Sequence, residues 1–402
     1  MPLDTGDTSF MLVATALVMI MTPGLAFFYG GLVSRKNVLA IMMQSYVSMG
    51  VSTILWVAVG YSLCFSGDVG GIIGNLDMAF LRGIEPTDLF DGADGTIPLL
   101  LFVAYQMMFA IITPALITGA FANRITFKAY LIFLVAWQIL VYYPFVHMIW
   151  GGGMLAEWGV LDFAGGIVVH ALAGMAALAS VIYVGKRRVE DTGAHNVPFV
   201  AIGAALLWFG WFGFNAGSEL AVDEVTAVAF INTQIAAAFA AITWLLLAWL
   251  YDGKPSFVEM LIGMIAGLAT ITPAAGFVSP QSAMLIGVAA GAVCYFAVVF
   301  RKKKGLDDAL DVWGVHGVGG ALGIIMLGVL ASESIGGQNG LYHGDQDFFL
   351  VQLAGLALAC VWAFAFTYGM LMMIDMITPV RVTDEAEAAL DVTLHGESAY
   401  TD

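Results

Sequence analysis

Eleven stretches of roughly 20 predominantly apolar residues fill most of this 402-residue chain, at 8–32, 39–65, 98–121, 126–147, 163–184, 197–217, 226–250, 256–273, 281–299, 309–331 and 348–376. A helix of about 20 residues spans the ~30 Å hydrocarbon core of a bilayer. Only 11 % of residues are charged, against about 25 % in a soluble domain, so the chain cannot coat a water-facing surface. The expected fold is an all-α polytopic membrane protein: a transmembrane domain over 1–378 with eleven helices, followed by a polar tail over 379–402.

Basic residues orient it. Taking the connections alternately, thirteen of the fourteen Lys and Arg residues fall on one side, and only Arg82 falls among the acids of the other. The positive-inside rule makes the basic side cytoplasmic, with the N-terminus outside and the C-terminus inside a cell membrane. The net charge of −16 argues against nucleic-acid binding, which wants a basic patch. Cys64, Cys294 and Cys360 lie in apolar runs without metal-ligand spacing and read as small core residues. No basic residue precedes the first run, so no signal peptide is expected.

Within this apolar background one pattern occurs twice. Asp162 is followed eight residues later by His170, and Asp308 by His316, each with paired glycines close by. Ionisable groups inside a span are costly and mark a pathway or relay by default. The fifth span runs inward and the tenth outward, so Asp162 is expected near the outer face and Asp308 near the inner one. Eight residues of helix are about 12 Å, which would bring the two imidazoles together near the midplane if the spans are neighbours. Matched motifs entering from opposite faces suggest an inverted repeat of spans 1–5 and 6–10, with halves at about 8–184 and 197–331. The plainer alternative for each His is a core imidazole bonded to a carbonyl. Asp162, at the opening of a helix, reads as a structural cap.

Aromatic residues gather toward the acidic side: Tyr105 and Phe109 in the third span, Trp150 after the fourth, and Trp211 and Phe214 before Ser218 at the end of the sixth. They form either an interfacial belt or, if they converge near a hydroxyl, a cation site, and spacing alone leaves both open. The long acidic connection from Ser66 to Pro98 either covers the outer mouth or is simply solvated. In the tail, Thr383 to Leu390 reads as a short helix capped by Thr383, and Val392, Leu394 and Tyr400 suggest docking onto the cytoplasmic face.

With these stretches in view, the whole chain resembles the ammonium transporter (Amt) family of the ammonium transporter/Rhesus superfamily. The resemblance rests on Pro23–Gly31, Trp150–Gly153, Asp162–His170, Trp208–Ser218, Thr272–Gly276 and Asp311–Gly320, in order along both halves. It implies a homotrimer with one pore per subunit and electrogenic uptake of ammonium and methylammonium. By motif position Trp150 and Ser218, with Tyr105 beside them, would form an outer recruitment site and Trp211 would line the vestibule. Phe109 and Phe214 would be the gate, His170 and His316 the twin pore histidines, and Asp162 the organising acid. The resemblance also implies a PII-type regulatory protein at the cytoplasmic face. No cofactor, metal or enzymatic activity is expected: no His-Glu-x-x-His motif or Gly-x-Ser-x-Gly elbow is present. A passive ammonia or gas channel of Rhesus type and an ammonium sensor are the alternatives.

Overall fold

The computed structural model describes residues 3–90, 92, 95–189 and 193–400. The first and last two residues of the chain and parts of two connections thus lie outside the described residues. Among the described residues ten helices are long and apolar enough to cross a membrane: α1 Thr5–Leu32, α2 Val38–Phe65, α3 Leu99–Ile117, α4 Phe127–Glu157, α5 Gly166–Val184, α6 Val197–Glu219, α7 Glu224–Asp252, α9 Pro280–Lys304, α10 Trp313–Leu330 and α11 Gln346–Ile377. The eighth expected span is a shorter apolar helix, α8 Phe257–Ile271, because Pro273 cannot continue it. The irregular backbone that follows would be costly in a bilayer if left unpaired. Asn232 of α7 removes much of that cost by donating to the Ala275 and Val278 carbonyls at 2.9 and 2.7 Å.

Helix pairing follows a pattern. The first span packs along the sixth and the fifth against the tenth, while α2–α4 and α7–α9 form two three-helix groups. Small residues permit the closest of these approaches, as expected where dispersion and backbone contact hold helices together in lipid. α11 lies across α5 and α10. Its buried Gln352 reaches into the connection before α5, donating to the Leu161 carbonyl at 2.7 Å and accepting from the Leu161 amide at 2.8 Å.

The tail docks on the basic face, but not as one helix. It forms α12 Asp384–Glu387 and α13 Leu390–His395 with a break at Ala388–Ala389. Thr383 does cap the first, accepting from the Ala386 amide at 3.3 Å. Glu387 accepts from the Arg188 and Val189 amides and from Arg381. Asp391 accepts from the Ala40 amide at 2.9 Å, in the first turn of α2. Leu390 is buried and Leu394 partly so, and Tyr400 bonds His195 at 2.8 Å, whereas Val392 is 60 % exposed.

Candidate functional site

The fifth span begins in a turn that the side chain of Asp162 shapes. Its Oδ1 accepts from the Gly165 and Gly166 amides at 3.0 and 2.6 Å, and Oδ2 from Ile167 and Val168 at 2.7 and 3.1 Å. These are the four donors a helix start leaves unpaired. Gly165 adopts φ +114 to let the chain wrap around the carboxylate, a conformation that L side chains rarely adopt. The helix therefore starts at Gly166 rather than at 163, and α10 at Trp313 rather than 309. Asp162 and Asp308 precede their helices, so the eight-residue helical rise expected between Asp and His is not what sets the depth of the rings. Both histidines lie in π-helical first turns, Gly166–Ala171 and Trp313–Gly317, a local widening often found at functional positions.

The two imidazoles meet. Their Nδ1 atoms are 3.2 Å apart, the ring centroids 5.2 Å apart and the ring planes within 19° of parallel. One Nδ1 must carry the shared proton and the other must accept it. The Nε2 of His170 is buried and has no hydrogen-bond partner in the protein.

The approach is reciprocal. Gly174, four residues after His170, lies on the backbone of His316 and Gly317. Gly320, four after His316, lies on the Gly166 carbonyl, the Ala171 amide and the His170 Cβ. A methyl at Gly320 would sit 2.7–2.8 Å from those atoms. Gly320→Ala should therefore cost about 1–3 kcal/mol of stability and part the rings, read as a lower unfolding temperature with reduced transport.

Toward the acidic face, aromatic rings lie over the imidazole of His170, with Phe214 stacked on it at 6.0 Å. Phe109 and Phe214 have centroids 4.4 Å apart, with Trp150 edge-on to Phe109 at 6.0 Å. Above them lies an open cavity of about 510 Å3 lined by Trp150, Asp162, Phe163, Ser218 and Glu219 among others. Trp150 donates through Nε1 to the Asp162 carbonyl at 2.8 Å, so the turn that starts α5 also fixes this ring. Ser218 donates to the Phe214 carbonyl at 2.8 Å. Tyr105 donates to the Gly213 and Phe214 carbonyls and lies 3.2 Å from the Ser218 hydroxyl. It is buried behind Ser218 and does not line this cavity.

Below the rings a narrow cavity of about 10 Å3 is lined by His170 and His316 together with Tyr29, Trp211, Leu116 and Ile265 among others. That is about the space one water-sized molecule needs. Trp211 belongs here and not in the vestibule: its ring stacks on His170 at 5.4 Å and its Nε1 donates to Thr272 at 2.9 Å. The Tyr29 hydroxyl donates to the Leu116 carbonyl at 2.9 Å. The Nε2 of His170 is thus the buried polar atom lining this cavity that is left without a partner among the described residues.

Four contributors were not anticipated: Gln106, Tyr29, Thr272 and Gln352. Gln106 lines the cavity beside Phe109 and Trp150, and its amide oxygen has no protein partner. The spacing of Phe102, Gln106 and Phe109, at i, i+4 and i+7, puts all three on one helix face and was a signal for it. Among the described residues no cluster of His, Cys, Asp or Glu has a metal-binding arrangement.

Comparison with known proteins shows the family and the fold. The chain matches the Ammonium Transporter Family over residues 9–400. It belongs to that family. It is 46 % identical over 407 residues to an ammonium transporter of Bacillus subtilis, covering 100 % of both chains. The crystal structure of Candida albicans Mep2 superimposes with a TM-score of 0.88 at 34 % identity, over 95 % of this chain and 87 % of that one. A protein described as a sensor Amt protein matches with a TM-score of 0.89 at 28 % identity, over 97 % of this chain and 98 % of that one.

Proposed function

We propose that this Amt family member takes up ammonium across the cell membrane, with the acidic face outside and the basic face cytoplasmic. The observation that carries the reading is the order of three environments along one line: a cation-suited vestibule, a closed pair of phenyl rings, and a narrow cavity served by two hydrogen-bonded imidazoles. Ammonium is held outside by the Trp150 ring and the Ser218 hydroxyl oxygen, which suit a polarisable N–H cation better than a bare alkali ion. A cation at the bilayer centre costs somewhere between about 2.5 and 17 kcal/mol, and the apolar walls and neutral imidazoles below the Phe109–Phe214 gate do little to offset it. Ammonium therefore gives up its proton at or below the gate and crosses as ammonia. The proton arrives at His170 Nε2, the Nδ1 proton passes to His316, and a proton leaves from the far side of His316.

Loss of one charge-assisted hydrogen bond is worth about 1.5–3 kcal/mol. Ser218→Ala should accordingly raise the apparent KM for methylammonium by about one to two orders of magnitude, leaving the maximal rate within about twofold.

The pairing of the first span with the sixth and the fifth with the tenth supports inverted halves. Family membership supports a homotrimer and a PII-type protein acting at the cytoplasmic face, where the docked tail would couple to it. The likeness to a sensor Amt protein favours a second reading, in which ammonium binds without turnover. Labelled methylammonium in proteoliposomes separates the two: transport requires accumulation inside, and sensing gives saturable binding alone. A Rhesus-type gas channel would accumulate substrate without current on solid-supported membranes.

A further inference from the structure

The two aspartates that precede the histidines by the same eight residues are not equally satisfied. Asp162 engages both carboxylate oxygens with four backbone amides. Asp308 is just as deeply buried, 1 % exposed, yet it is held only by the amides at the start of α10, Trp313 closest at 2.7 Å from Oδ2. Its Oδ1 is buried with no hydrogen-bond partner in the protein. A residue that served only as a cap would be expected to look like Asp162, because a buried carboxylate oxygen left unpaired is destabilising.

The charged groups around Asp308 leave it available. Arg301 is paired with Asp311. Arg124 is bonded to the Ala120 and Gly185 carbonyls and lies 3.6 Å from Asp307. Burial, and then the neighbouring Asp311 carboxylate, push the Asp308 carboxyl up to about 6, against the Arg301 guanidinium and the Trp313 and Val312 amides, which pull it down. From α1, Tyr29 faces it: the Tyr29 ring lines the histidine cavity together with His316, and its hydroxyl end packs on Gly119 beside Val312. Tyr29 thus reaches from that cavity to the segment that follows Asp308. The amide of Trp313 and His316 are only three residues apart, under one turn of helix or about 5 Å along the axis.

We infer that Asp308 is the proton-release residue on the cytoplasmic side of the histidine pair. It accepts, through water passing Tyr29, the proton that leaves His316, becoming a neutral acid. Loss of that proton to cytoplasmic water regenerates the carboxylate before the next ammonium arrives. This rests on the histidine relay proposed above.

The test compares Asp308→Asn and Asp308→Glu in the full-length protein on solid-supported membranes. Asparagine keeps an oxygen for the Trp313 amide but cannot take the proton. The inference predicts an ammonium-evoked current at least about tenfold lower in Asp308→Asn, with the wild-type dependence on internal pH near 6 abolished. Ammonium-dependent thermal stabilisation, which reports the vestibule, stays intact, and Asp308→Glu recovers the current and its pH dependence. Any other combination overturns the inference: an undiminished current leaves Asp308 a cap, and a loss that glutamate does not restore, or that removes ammonium stabilisation as well, makes it architecture. Failure of the relay itself would appear separately, as full selective current in a variant lacking both histidines.

Discussion

Replacing His170 and His316 together by leucine abolishes proton-coupled current, lowering it by at least about 100-fold, the scale expected when a positioned proton-transfer group is lost. The protein still folds. Removing both members of a buried hydrogen bond in favour of apolar groups is close to neutral for stability, and the two Nδ1 atoms are each other's partners at 3.2 Å. Single substitutions leave one imidazole unpaired in the cavity and are expected to differ from each other and from the double variant. Current recorded on solid-supported membranes beside a thermal melt separates the two effects. Undiminished current with unchanged ion selectivity in the double variant would remove the relay from the account.

Asp162→Ala has the largest expected structural effect. It leaves the Gly165, Gly166, Ile167 and Val168 amides without their acceptor at a buried helix start. Each unpaired donor costs about 1–3 kcal/mol before relaxation, so the total should exceed about 3 kcal/mol. Function goes with it, because the Trp150 ring is bonded to the carbonyl of the same residue. Asparagine, with one acceptor oxygen in place of two, should fall between wild type and alanine. The check is the unfolding temperature together with ammonium-dependent stabilisation. An alanine variant that melts within about 2 °C of wild type would show the cap to be dispensable.

The helical outline of this protein was readable because lipid imposes a strict rule on sequence: long apolar runs must be helices. The meeting of His170 and His316 was readable from their matched intervals and opposed directions, although the reason given for their depth was not. A turn such as Asp162–Gly165 bends the chain before the helix begins, and only the φ of +114 at Gly165 reveals where counting should start. The placement of Trp211 was legible in principle. Ser218, Phe214 and Trp211 lie at successive steps of four and three residues on one face of α6, so Trp211 had to lie below the gate if Phe214 formed it. What no local pattern carries is the unequal use of Asp162 and Asp308, or the grip of Gln352 on Leu161 across 191 residues. Those depend on which backbone groups a distant helix leaves unpaired.

The central claim is that ammonia and a proton cross by separate routes through one pore, so the charge moved per ammonia delivered is the direct test. In proteoliposomes holding the intact protein, simultaneous measurement of current and labelled methylammonium uptake should give one elementary charge per molecule. That charge should be lost on replacing both histidines. Uptake at full rate with no net charge would contradict the account and leave a passive channel for neutral ammonia.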